Sequence, residues 1–136
     1  DQMWNLVKPQ KGELIYDLGC GDARHLVYAC TRYGAKGVGI EIAWWPLLKA
    51  WVNRKIARLD QEIVFYSGNF KNYDFKNADI VFLYLFEDLL KQLKEKFIRE
   101  LKPGIRIVSA RYGIPDWKPD IILTSEKYPI YLYVIK

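Results

Sequence analysis

Tyr16-Asp17-Leu18-Gly19-Cys20-Gly21-Asp22-Ala23-Arg24 joins an apolar run to a helical one through a turn that contains two glycines. Residues 13–17 (ELIYD) read as a strand, and residues 23–33 as a helix that Gly34 stops. Glycine at a strand-to-helix turn lets the backbone bend tightly and approach a ligand, and the helix behind it offers free N–H groups. The third small position is Ala23, so the stretch is not a strict GxGxxG. In a doubly wound sheet, ligands sit beyond the carboxyl ends of the strands where the strand order reverses, which is where such a turn stands.

Downstream, strand and helix patterns alternate. Residues 37–41 (GVGIE) form a second short strand. Pro46 suits the first turn of a helix, where a missing N–H costs little, and that helix runs to about residue 59. Its apolar positions Leu47, Leu48, Trp51, Val52, Ile56 and Leu59 are expected to face the core, with Trp44 and Trp45 in the core or walling the ligand. Lys49, Arg54, Lys55 and Arg58 are expected in solvent. Residues 63–66 are a third strand, and 79–85 (DIVFLYL) is the continuous apolar run of a central strand covered on both faces. Residues 89–101 form an amphipathic helix closed by Lys102-Pro103-Gly104. Strands at 105–109, 121–125 and 130–135 follow, with no long helix between the last two. This order predicts a single α/β domain over residues 1–136, doubly wound around a mainly parallel sheet with an antiparallel edge.

The 136 residues are 51% hydrophobic and 27% charged, a soluble globular profile. No apolar run reaches the ~20 residues of a membrane span and no leader signals export, so the expectation is a cytoplasmic chain with no membrane partner. It opens at Asp1 rather than Met, so an upstream segment is expected. Cys20 and Cys30 read as buried thiols in a reducing compartment, and no spacing suggests a metal site. The net charge of +5 suits an acidic or nucleic-acid partner and equally an ordinary solvated surface.

Two acidic strand ends carry the chemistry. Asp17 closes the first strand, where a carboxylate can face a cationic ligand group. Glu41 closes the second, where an acid can hold both hydroxyls of a ribose. The third strand runs into Ser67-Gly68-Asn69-Phe70, where the Asn69 amide can bond an adenine edge with Phe70 against the ring. DLGCGDAR (17–24), GIE (39–41), GNF (68–70), ADIVFLYL (78–85) and LKPGIRIVS (101–109) resemble the successive motifs of class I S-adenosylmethionine-dependent methyltransferases, over nearly the whole chain. The resemblance implies a Rossmann-like, seven-stranded sheet with an antiparallel last strand. It implies that the turn of Gly19, Cys20, Gly21 and Asp22 passes the methionine part, that Glu41 holds the ribose and that Asn69 recognises adenine. Ile42, Phe70 and Tyr84 complete the expected contacts. Ala23 and Asn69 depart from it, since many members carry Gly and Asp there. A nicotinamide dinucleotide fits less well, because Asp22 would face its pyrophosphate, whereas Asp17 and Asp22 suit a sulfonium and an ammonium.

The acceptor is read from three further stretches: 41–48 (EIAWWPLL), the strand end at 82–85, and 106–112 leading into 114–120 (IPDWKPD). With the glycine turn they resemble the small protein-lysine methyltransferases of archaea and mitochondria. That implies a protein substrate with an accessible lysine, and it places Tyr84, Tyr112 and Trp117 along the acceptor channel. Ala43-Trp44-Trp45-Pro46 departs from that family's Asn/Asp-Pro after the ribose acid, and only residues 1–10 stand where a proline-containing segment normally precedes the first strand. His25, the one histidine, is read as structural. A monomer is expected. RNA or a small molecule is the alternative acceptor, and a cofactor-binding module without catalysis is the other.

Overall fold

The computed structural model describes residues 2–125 and 127–136. Along the chain stand α1 (Gln2–Val7), β1 (Leu14–Leu18), α2 (Arg24–Tyr33), β2 (Lys36–Glu41), α3 (Trp44–Ile56), β3 (Ile63–Ser67), β4 (Ile80–Leu83), α4 (Glu87–Glu100), β5 (Arg106–Ala110), β6 (Ile121–Thr124) and β7 (Pro129–Val134). The seven strands form one sheet in the order β3-β2-β1-β4-β5-β7-β6. β7 runs against both of its neighbours and every other pairing is parallel. The doubly wound architecture is therefore as expected, and the order reverses between β1 and β4, next to the glycine turn.

Side-chain alternation divides the core in two. Ile80 and Phe82 face the layer of α1, α2 and α3 with Trp4, Ile15, Leu26 and Val108. Val81 and Leu83 face α4, whose Leu90, Leu93 and Phe97 are fully covered. Each such side chain contributes about 1.5–3 kcal/mol on burial.

Two helices differ from expectation. α1 has no long apolar period to announce it, and at six residues it is too short to stand alone. It is held from outside: Trp4 is buried against Phe82, 5.7 Å between ring centres. Arg106 donates to the Val7 carbonyl at 2.7 Å and to Glu13 at 2.6 Å. α3 is turned over relative to the sequence reading. Ala50 is its one fully buried residue among those described. Leu48, Trp51, Val52 and Ile56, expected in the core, are exposed, as are Trp44 and Trp45. Arg54, expected in solvent, lies over the Phe65 ring at 5.2 Å and donates to the Ile63 carbonyl at 3.0 Å. Asn53 donates to the Asp22 carbonyl at 2.9 Å. Periodicity alone cannot choose between two stripes of one helix. Here two free backbone carbonyls recruit the polar side, while Ala50 and Leu47 give the close approach to the sheet.

Candidate active site

The turn between β1 and α2 is fastened to β2, because the N–H groups of Gly19 and Cys20 both donate to the Ile40 carbonyl, at 2.8 and 3.1 Å. Gly19 (φ 77°) and Gly21 (φ 56°) adopt the left-handed backbone this requires. Ala23 is also left-handed (φ 64°) and fully buried. That explains why glycine is common at this place in the resembling family, and alanine costs about 1 kcal/mol there. The Glu41 carboxylate braces the loop by accepting from the Gly21 N–H at 2.8 Å and the Ala43 N–H at 3.0 Å.

Two hollows meet at Gly19. The larger, about 390 Å³, is walled by Asp17, Cys20, Gly21, Asp22 and Tyr84 together with Arg24, His25, Pro46, Lys49 and Phe82. The smaller, about 180 Å³, is walled by Glu41, Ile42, Asn69 and Phe70, with Gly68, Lys71 and Leu89. Every residue expected at the cofactor thus falls on two joined hollows along one strand-end crevice. Asn69 caps the short 3-10 turn Phe70–Asn72 by accepting from the Lys71 N–H at 2.9 Å.

The larger hollow sets two acids, Asp17 and Asp22, among two bases, Arg24 and Lys49. Asp17 is buried at the end of β1, and burial, then Glu41, then Asp22 push its carboxyl up to about 8. Asp22 is held below the usual carboxylate range by its hydrogen bonds from Arg24, 2.8 Å at the closest. Burial first, then the acids Asp17 and Glu41, raise the Cys20 thiol, so it is an inert neutral wall. His25 packs against Phe82 at 4.9 Å and is held below its ordinary value by burial and Arg24, so it presents a neutral ring. Its position on the wall was not foreseen. A cationic group set against Asp17 and Asp22 would be favoured there, and would draw Asp17 into its ionised form. The residues present therefore fit S-adenosylmethionine: Asp17 and Asp22 could face its charged end, and Glu41 and Asn69 its nucleoside.

Of the residues expected at the acceptor, Tyr84 lines the larger hollow and Tyr112 lines neither hollow. Tyr84 packs edge-on against Tyr128 at 5.5 Å, and the Arg111 guanidinium stands beside the Tyr84 hydroxyl. Tyr112 packs against Phe86 at 5.4 Å with Arg111 over its ring. Trp117 lines neither hollow; it packs against Tyr133 at 5.3 Å on the α4 side of the sheet. The sequence does not mark out Arg111 or Tyr128, because Arg111 reaches Tyr84 through the β4–β5 pairing and Tyr128 through that of β5 with β7.

The ANTKMT methyltransferase domain model matches residues 17–121. The chain belongs to that family. It is 32% identical over 139 residues to a protein-lysine N-methyltransferase of Saccharolobus islandicus, covering 98% of this chain and 86% of that protein. It is 24% identical over 134 residues to the mouse adenine nucleotide translocase lysine N-methyltransferase, covering 98% of this chain but 58% of that protein. A crystal structure of an RNA methyltransferase from Salinibacter ruber with S-adenosyl-L-homocysteine superposes with a TM-score of 0.96 at 32% identity, over 99% of this chain and 88% of that one. The methyltransferase fold and S-adenosylmethionine as its donor are as the sequence predicts.

Proposed function

We propose that this methyltransferase modifies the side-chain amine of lysines in proteins. The observation that carries the reading is Tyr84, which lines the larger hollow and has Tyr128 packed on it and Arg111 beside it. S-adenosylmethionine supplies a methyl carbon already activated by its sulfonium, so the protein's task is to present a neutral amine in line with it. Aromatic rings accommodate the methylene chain of a lysine and tolerate its ammonium. The Arg111 cation beside Tyr84 disfavours a second cation there, so the lysine gives its proton to water before reacting. Tyr84 then orients the nitrogen through its hydroxyl. Tyr112 extends this aromatic group, and Trp117 anchors the loop that carries it. In the donor half, Asp17 and Asp22 hold the charged end with Gly19, Cys20 and Gly21 along it, while Glu41 and Ile42 take the ribose and Asn69 and Phe70 the adenine. The relatives from Saccharolobus islandicus and mouse, both named for lysine methylation, support the acceptor class. The two buried free thiols support a reducing compartment such as the cytoplasm.

The Salinibacter ruber relative favours a second reading, methyl transfer to RNA. Incubation with S-adenosylmethionine carrying a radiolabelled methyl group, in parallel with lysine-rich proteins and with total RNA, separates the two. Label in protein, mapped to lysine by mass spectrometry, is expected. Label in RNA alone overturns the proposal.

A further inference from the structure

The outward side of α3 is its apolar side. At 100° per residue, Trp44, Trp45, Leu48, Trp51, Val52 and Ile56 fall within an arc of about 140° on a helix about 20 Å long. Trp44 is 73% exposed and Ile56 76%. Lys55 stands within the same arc and is exposed. An ordinary helix on a sheet shows the reverse pattern, with polar residues outside. A continuous exposed apolar face marks a surface built for a partner.

The neighbouring helix continues it. Between α2 and α3 runs a groove of about 790 Å³ floored by Val27, Tyr28, Ile56 and Ala57, with Arg24 and Arg32 on its walls. Neither α2 nor α3 contains an acidic residue, while together they carry Arg24, Arg32, Lys49, Arg54 and Lys55, with Arg58 just beyond. Asp22 and Asp60 pair with part of this charge and leave the layer cationic.

We infer that α3, with the groove beside it, is an interfacial surface that lies on anionic lipid bilayers. Tryptophan and aliphatic side chains set at the headgroup boundary, with lysine and arginine at the phosphate level, are the chemistry of a helix lying in the plane of a membrane. A second copy fits poorly, because a two-fold contact would set one cationic face against another. RNA would use the cations and the tryptophans but gains nothing from Leu48, Val52 and Ile56. Among the described residues no helix is long and apolar enough to cross a membrane, and the surface lies on the bilayer without entering its core. The sequence predicts no membrane partner because it holds no spanning run, and this inference goes beyond that. Pro46 and Lys49 belong both to α3 and to the wall of the larger hollow, so the site lies beside the docked face. The inference is independent of the acceptor's identity.

Flotation with liposomes tests it, using phosphatidylcholine alone and phosphatidylcholine with phosphatidylglycerol. The protein is expected to float with the anionic vesicles, with a blue shift of its tryptophan emission, and to leave them as salt is raised. A triple variant, Leu48→Ser with Val52→Ser and Ile56→Ser, and a double variant, Lys55→Glu with Arg58→Glu, should each weaken vesicle binding about tenfold or more. Both should still bind S-adenosylhomocysteine like the parent, which shows that they are folded. No flotation of the parent, flotation unchanged in the folded variants, or an α3-dependent dimer in place of vesicle binding overturns the proposal. So does binding of RNA that the triple variant leaves intact while no vesicle is bound.

Discussion

The two halves of the crevice are built from different materials. The donor half, from Asp17 to Glu41, is backbone and carboxylate: left-handed glycines, amides bonded to the Ile40 carbonyl, and a Glu41 side chain held by two N–H groups. The acceptor half is side chain on side chain, with Tyr84 on Tyr128, Phe86 on Tyr112 and Arg111 across them. Backbone placed by neighbouring parallel strands leaves little room to vary, whereas aromatic groups on strand ends and loops can be exchanged one at a time. On the proposed assignment, the donor half is suited to recognise one small molecule, and the acceptor half is the part able to change its client.

That contrast can be broken most directly at Glu41. Replacing Glu41 by Ala removes both the expected ribose ligand and the brace on Gly21, and the affinity for S-adenosylmethionine should fall at least about a hundredfold in calorimetric titration with the fold retained. Unchanged affinity would sink the ribose assignment and with it the idea of a rigid donor half.

Asp17 comes next. Without a ligand its carboxyl is pushed up to about 8, so at neutral pH it is mostly protonated. A bound cation needs the ionised form. The affinity should therefore rise with pH, by up to about tenfold per unit below 8, and level off above it. Heats measured in buffers of different ionisation enthalpy should reveal a proton released on binding. In Asp17→Asn this pH dependence should vanish along with most of the affinity. The sign for stability is opposite. The folded value lies above the ordinary 3.8, so between about pH 4 and 8 the folded protein holds a proton that the unfolded chain has lost, and stability declines as pH rises through that window. Ligand-free Asp17→Asn should lack that decline, and melting curves at pH 5 and pH 8 would show it.

In the acceptor half the effects should be smaller and fall on turnover. For Tyr84→Phe we expect about a tenfold lower kcat with cofactor affinity within about twofold, because one hydrogen bond that orients the amine is lost. Equal activity would remove Tyr84 from the site. The smallest effect expected on donor affinity is that of Trp117→Ala, which should leave it unchanged while lowering the melting temperature, since this side chain packs on Tyr133 and not on either hollow. A loss of cofactor binding in that variant would mean that the two halves are not separable.

The same division governs what could be read from the sequence. The donor half announces itself because each of its needs is local: a turn needs Gly19 and Gly21, and a strand end needs Glu41. The sheet order follows from alternating patterns of the same local kind. Arg111 and Tyr128 gave no such signal, because Arg111 meets Tyr84 only once β5 lies beside β4, and Tyr128 only once β7 has folded back beside β5. The orientation of α3 escaped for a related reason. Its anchors, Arg54 and Asn53, are bonded to carbonyls at Ile63 and Asp22, and neither acceptor is visible in the helix's own period.

The clasp around α1 has a consequence for how the chain comes to be buried in time. Arg106 bonds to Val7 across 99 residues of sequence, and Trp4 rests on Phe82. A growing chain emerging from the ribosome therefore exposes the tryptophan of α1 throughout the synthesis of β1, β2 and β3, and cannot seal it before β4 and β5 exist. The segment translated before every strand of the sheet is among the last to be enclosed, which makes it the natural handle for a chaperone during that interval.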